Sequence, residues 1–200
     1  MLLEASQSQL VLIDFQTRLM TAIRDAEAVV ANAARLGKMA RLLDVPCWGT
    51  EQNPDRLGAT VPEVAPLCQR MLPKMHFSAV ADGLVDWLQP PNKPAGGNAR
   101  SLPRHLQRPL PVAEPRTAIV LAGCEAHVCL LQTALDLLEH ELEVWVVVDA
   151  CGSRSQRSVD AALDRLASAG AELVTTEMVA FEWLRSATHP QFKAVQALIK

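Results

Sequence analysis

The 200-residue chain predicts an α/β fold: a parallel sheet covered by helices on both faces. Two observations carry this. Several short runs are apolar throughout rather than alternating, as strands buried on both faces must be. Segments with helical spacing of apolar residues separate those runs, the order expected of parallel strands with crossover helices.

The elements follow in order. Gln9–Asp14 reads as a first strand ending in a carboxylate, and Ala26–Leu43 as an Ala/Leu-rich helix. Val45–Thr50 reads as a second strand. Arg70–Ser78 fits either another strand or a loop. Thr117–Ala122 and Glu143–Val148 are two further strands. Arg157–Ala169 is a helix closed by Gly170, a residue suited to the position after a helix C-cap. Ala171–Thr175 is a short last strand. One stretch breaks the pattern: residues 89–110 are rich in Pro and Gly and predict a long loop inserted into a single domain spanning 1–200. It is either a plain surface insertion or a lid or oligomer contact carrying Arg100, Arg104 and His105.

Half of the residues are hydrophobic and a fifth are charged, ordinary values for a globular domain. The net charge of −3 implies no general attraction to nucleic acid or anionic lipid. The first residues lack a signal peptide's basic and apolar regions, and no apolar run is long enough to span a bilayer. The five cysteines (47, 68, 124, 129 and 151) are odd in number and contain no CxxC pair. That pattern argues for reduced thiols and a cytoplasmic location, and gives no zinc signature.

In such a sheet, ligands sit outside the carboxyl ends of the strands. Asp14 ends the first strand. Cys129 follows the strand over 117–122, near the start of the next helix, where unpaired N–H groups and the helix dipole favour thiolate. Lys74 could reach the same rim. A thiol nucleophile, a carboxylate to move its proton and an ammonium to organise both anions make a workable set. Backbone N–H groups between Gly123 and Cys129 could stabilise an oxyanion. His127 is too close in sequence to Cys129 for facing side chains and is expected to support the turn. Cys124 is expected to be structural, and Cys47, Cys68 and Cys151 have no charged context.

Four ordered motifs sharpen this. Val11–Gln16, Thr50–Glu63, Lys74–Ser78 and Gly123–Cys129 together resemble the isochorismatase-like cysteine hydrolases, and within them the isochorismatase domain-containing proteins. Thr175–Lys193 is similar to the tail of that subgroup. The resemblance implies a Rossmann-like three-layer α/β/α sandwich with a six-stranded, mostly parallel sheet. It implies Asp14 as general base and acid, Lys74 as charge organiser and Cys129 as nucleophile. It also implies oxyanion donors at the backbone N–H groups of Glu125 and Cys129, a cis peptide joining Cys124 and Glu125, and a homo-oligomer, dimer or tetramer. Nicotinamidases of this superfamily hold a metal near the second strand. Here that region reads Thr50-Glu-Gln-Asn-Pro, and His76 stands alone, so no metal and no other cofactor is expected. Gln52 and Phe77 are candidates to line the pocket. The expected activity is hydrolysis of a C–N bond in a small molecule. The competing expectation is a binding or regulatory protein on the same fold. A nuclease lacks support in a chain with no basic stripe interleaved with aromatics.

Overall fold

The computed structural model describes residues 2–90 and 116–200. Six strands form one all-parallel sheet: β1 (Ser8–Ile13), β2 (Cys47–Gln52), β3 (Arg70–Lys74), β4 (Ala118–Cys124), β5 (Glu143–Gly152) and β6 (Glu172–Val174). Their spatial order is β3-β2-β1-β4-β5-β6. The chain therefore winds outward from β1 to one edge, then returns to start again at β4 on the other side of β1. That reversal opens a crevice between the ends of β1 and β4, where ligands bind in doubly wound folds.

The helices are α1 (Thr17–Met20), α2 (Ala26–Leu42), α3 (Pro54–Leu57), α4 (Leu84–Leu88), α5 (Leu131–Glu139), α6 (Gln156–Ser168), α7 (Thr176–Leu184) and α8 (Phe192–Ile199). Two separate cores explain why the strands are apolar at every position. Leu10, Leu12, Val120, Ala122 and Val147 face α2, α7 and α8. The intervening residues Val11, Ile13, Ile119, Leu121 and Val146 face α4, α5 and α6. A one-residue step along a strand moves a side chain from one core to the other.

The strands and helices expected from the sequence all form, with ends moved by a few residues. The undecided segment resolves into β3 followed by a loop beginning at Met75. β5 runs to Gly152, beyond the expected Val148. Ser155 caps α6 by accepting from Ser158 N–H at 3.3 Å, and Gly170 after that helix has φ +103°. Apart from Gln89 and Pro90, the Pro/Gly-rich stretch, with Arg100, Arg104 and His105, lies outside the described residues. Among the described residues no helix is long and apolar enough to cross a membrane.

Candidate active site at the β1–β4 crevice

Asp14 is the first residue past β1 and has φ +53°, a left-handed conformation that aspartate tolerates better than most residues. Its side chain is completely buried. Thr50, near the end of β2, donates from Oγ1 to Asp14 Oδ1 at 2.6 Å. Lys74, the last residue of β3, places Nζ 2.8 Å from Asp14 Oδ2, and both side chains are 0% exposed. The ammonium also donates to Gln52 Oε1 at 2.6 Å, to Phe77 O at 3.0 Å and to His76 O at 3.4 Å. Beside the ion pair with Asp14, its three N–H bonds thus serve three carbonyl acceptors. Asp14 Oδ2 feels the charge of Lys74 but has no hydrogen-bond donor of its own among the described residues.

Gln52 binds the strand ends together. Its side-chain carbonyl accepts from Lys74 and lies 3.9 Å from Cys129 Sγ, while its Nε2 donates to Met75 O at 2.9 Å. Its backbone is gripped from both sides by Gln16, which accepts from Gln52 N–H at 2.8 Å and donates to Gln52 O at 3.0 Å. Phe77 contributes its carbonyl to Lys74, but the residue is 52% exposed. The carboxylate of Asp82 accepts from Met75 N–H and His76 N–H at 3.2 and 3.1 Å, which fixes the backbone of this loop while its side chains face outward.

The second half of the site comes from the chain after β4. Gly123 has φ +150°, and a Cβ there would stand 2.2 Å from Ile13 O, so only glycine lets β4 pass β1 this closely. The peptide between Cys124 and Glu125 is cis. A π-helical turn over Ala126–Leu130 then leads into α5, and Cys129 sits in that turn. The Glu125 carbonyl accepts from Val128 and Leu130 N–H at 3.0 and 3.3 Å. The Glu125 carboxylate turns outward to Arg154 Nε at 3.0 Å. His127 Nδ1 lies 3.0 Å from Ser153 Oγ and so braces the turn against the chain leaving β5, the supporting role its spacing suggested.

Cys129 is buried, its Sγ lies 3.9 Å from the Gln52 carbonyl that also binds Lys74, and the charges of Asp14 and Lys74 both act on its thiol. Three distant parts of the chain thus converge. Burial opposes the thiolate expected from the sequence. Burial pushes the Cys129 thiol up to about 12, and the Asp14 carboxylate adds to the rise against the opposing pull of Lys74. The short π-helical turn and the ammonium do not outweigh desolvation and a neighbouring anion. Desolvation thus favours the protonated Cys129 thiol in the resting site. Burial likewise pushes the Cys124 thiol well up and that of Cys151 to about 12, consistent with structural roles.

Sequence reasoning gave no part to Thr50 or Gln16. Both stand inside the four motifs, but a Thr in a strand and a Gln in a turn have no spacing signature. Only the sheet register, with Ile13 beside Thr50, brings the hydroxyl to the carboxylate.

Known proteins share this sequence and fold. An isochorismatase domain model matches residues 110–178. Mouse isochorismatase domain-containing protein 2A is 41% identical over 193 residues, covering 96% of this chain and 82% of that protein. The human isochorismatase domain-containing protein 2 is also 41% identical, covering 96% of this chain and 83% of its own. The chain belongs to the isochorismatase domain family. Among solved structures, one titled as the MAR1 ribonuclease from Caenorhabditis elegans is 32% identical, with a TM-score of 0.83 over 100% of this chain and 92% of that one. The YcaC product of Escherichia coli, described as an octameric hydrolase of unknown specificity, shares the fold with a TM-score of 0.78 at 23% identity, covering 98% of this chain and 87% of that one.

Proposed function

We propose that this family member is a cysteine hydrolase that cleaves the C–N bond of a small amide-type molecule. One observation carries the reading: a fully buried Lys74–Asp14 ion pair, 2.8 Å apart, with the Cys129 thiol 3.9 Å from the Gln52 carbonyl that accepts from Lys74. Burying two charges is costly, and a purely structural role is served as well by apolar side chains. The same pair beside a thiol has chemical use.

The protonated resting thiol defines the first step. Asp14 Oδ2, which has no other hydrogen-bond donor among the described residues, accepts the Cys129 proton as Sγ bonds to the substrate carbonyl carbon. Net charge in the sealed site is unchanged, because the proton only moves from sulfur to oxygen beside the fixed ammonium. The oxyanion is received by the Glu125 and Cys129 N–H groups. Asp14 then returns the proton to the leaving nitrogen, the C–N bond breaks, and ammonia or an amine departs from a thioester. Water, deprotonated by Asp14, releases the acid and restores the thiol. Gln52 and Phe77 border the substrate, Gln52 through the carbonyl that faces the thiol. None of these steps draws on a metal or cofactor.

A second reading, RNA cleavage, is favoured by the name of the C. elegans structure. Against it, the one cation identified in this site, Lys74, is committed to Asp14 and three carbonyl oxygens rather than presented to a phosphate. The octameric description of the E. coli protein supports assembly of this chain into a homo-oligomer, and the odd cysteine count supports a cytoplasmic setting. The deciding experiment screens nicotinamide, ureido acids, carbamoyl compounds and an RNA oligonucleotide with the full chain and its Cys129→Ala variant. Release of ammonia or amine that falls at least about 10³-fold in the variant is expected. Amide hydrolysis that survives in Cys129→Ala, or RNA as the only compound turned over, rejects the proposal. A chain inert toward the whole panel favours the binding or regulatory reading.

A further inference from the structure

Away from the crevice, the opposite ends of β2 and β3 bring two other cysteines together. Cys47 opens β2, and Cys68 is the residue before Gln69, through which the chain enters β3. Gln69 N–H donates to Cys47 O at 2.8 Å and holds the beginnings of the two strands side by side. Cys47 is 3% exposed, Cys68 is partly exposed with its Sγ donating to Val64 O at 3.8 Å, and each thiol acts on the other's ionisation. Both line one surface cavity of about 360 Å³ together with Arg41, Asp44 and Pro66. Space for the sulfur is provided by Gly49: a Cβ there would meet Cys68 Sγ at 2.9 Å and Met71 Sδ at 2.5 Å. Cys47 pairs in register with Leu10, four residues before Asp14, so this thiol pair is separate from the crevice.

We propose that Cys47 and Cys68 form a second thiol centre, a redox-active dithiol that peroxide converts to an intramolecular disulfide. The partly exposed member attacks first, and the buried member resolves. The Cys68 sulfur attacks a peroxide oxygen, the O–O bond breaks, and Cys68 becomes a sulfenic acid as the first water leaves. The Cys47 sulfur then displaces the sulfenic oxygen, the S–S bond forms, and the Cys47 proton departs with that oxygen as the second water. Two thiols lose two hydrogens and two electrons, and peroxide is reduced to two waters. The order agrees with the local chemistry. The neighbouring Cys47 thiol holds the Cys68 thiol below its ordinary range, against the effect of burial, while Cys68 and burial together hold Cys47 well above. The disulfide tethers β2, which carries Thr50 and Gln52, to the start of β3, which carries Lys74.

The test uses the full chain with Cys129→Ala, so that the crevice thiol is silent. Stoichiometric hydrogen peroxide near neutral pH should lower the intact mass by two hydrogens, yield a peptide cross-linked between Cys47 and Cys68, and be fully reversed by dithiothreitol. Adding Cys47→Ser should stop the reaction at a Cys68 sulfenic acid that a 1,3-dione reagent traps. Adding Cys68→Ser should slow peroxide consumption at least about tenfold. The proposal is overturned if both thiols stay open to alkylation after oxidation, if Cys124 or Cys151 oxidises first, or if Cys68→Ser consumes peroxide as fast as its parent.

Discussion

The two halves of the crevice are built from different materials. On the β1–β2–β3 side, position is set by side chains: Thr50, Lys74 and Gln52 converge on Asp14 or on one another through hydrogen bonds of 2.6–2.8 Å. On the β4–α5 side, position is set mainly by backbone: Gly123, the turn over 126–130 and the carbonyl of Glu125 place Cys129, and polar side chains only brace the turn from its flank, His127 on Ser153 and Glu125 on Arg154. Polar networks in a low-dielectric interior are stable only when each member is satisfied. The first half should therefore be sensitive to loss of single polar groups, whereas the second should tolerate exchange of its reactive atom and be sensitive to backbone change.

Lys74→Met gives the largest effect. It removes the counter-ion of a completely buried carboxylate, and the stability loss is expected at about 3–5 kcal/mol by urea denaturation. The double variant Asp14→Asn, Lys74→Met, which also removes the stranded charge, should recover most of that loss while remaining inactive. A double variant no more stable than Lys74→Met would show that the ion pair does not account for the sensitivity of this half. Cys129→Ala serves as the control from the other side. It deletes one sulfur and should leave stability within about 1 kcal/mol.

Thr50→Val is next. The shape is nearly kept, but Asp14 Oδ1 loses its 2.6 Å donor, and a cost of about 1–3 kcal/mol is expected from the same denaturation measurement. If polar side chains do not position this half, the cost falls below the range of ordinary surface substitutions, about 0.5 kcal/mol.

The two halves also differ in how far the sequence disclosed them. The sheet was readable because strands buried on both faces leave unbroken apolar runs, and because the order of strands and helices leaves few topologies. Asp14 and Cys129 could be singled out since each follows such a run at the carboxyl rim. Lys74 was harder: the five-residue β3 contains Pro73, tolerated at a sheet edge but uninformative as a strand signal. Thr50 and Gln16 act only through contacts across the sheet, which no local pattern encodes. The ionisation of Cys129 is hard to read from sequence for a related reason. The position of a helix start can be inferred from sequence, whereas desolvation depends on everything packed around the sulfur.

That protonation state supplies the smallest and most diagnostic prediction. Cys129 and Cys151 ionise only toward about 12 in the folded chain, compared with an ordinary thiol value of 9.0. A folded-state value raised above the unfolded one favours folding at and below the unfolded value, and this contribution is lost as pH rises. The unfolded chain releases these protons from about pH 9, while the folded chain holds them until near 12, so stability should fall progressively across that window. Cys151→Ala should flatten the fall by one thiol's share, and Cys129→Ala by another. Alkylation should separate the halves further. With Asp14 intact, the iodoacetamide rate at Cys129 should climb with pH without levelling off below about pH 10. In Asp14→Asn the anion that raises the thiol is gone and Lys74 remains, so the inflection should move to lower pH. An inflection for the unmodified chain near about pH 7, unmoved by Asp14→Asn, would mean that the thiol is activated by its own helical turn and that the two halves work independently.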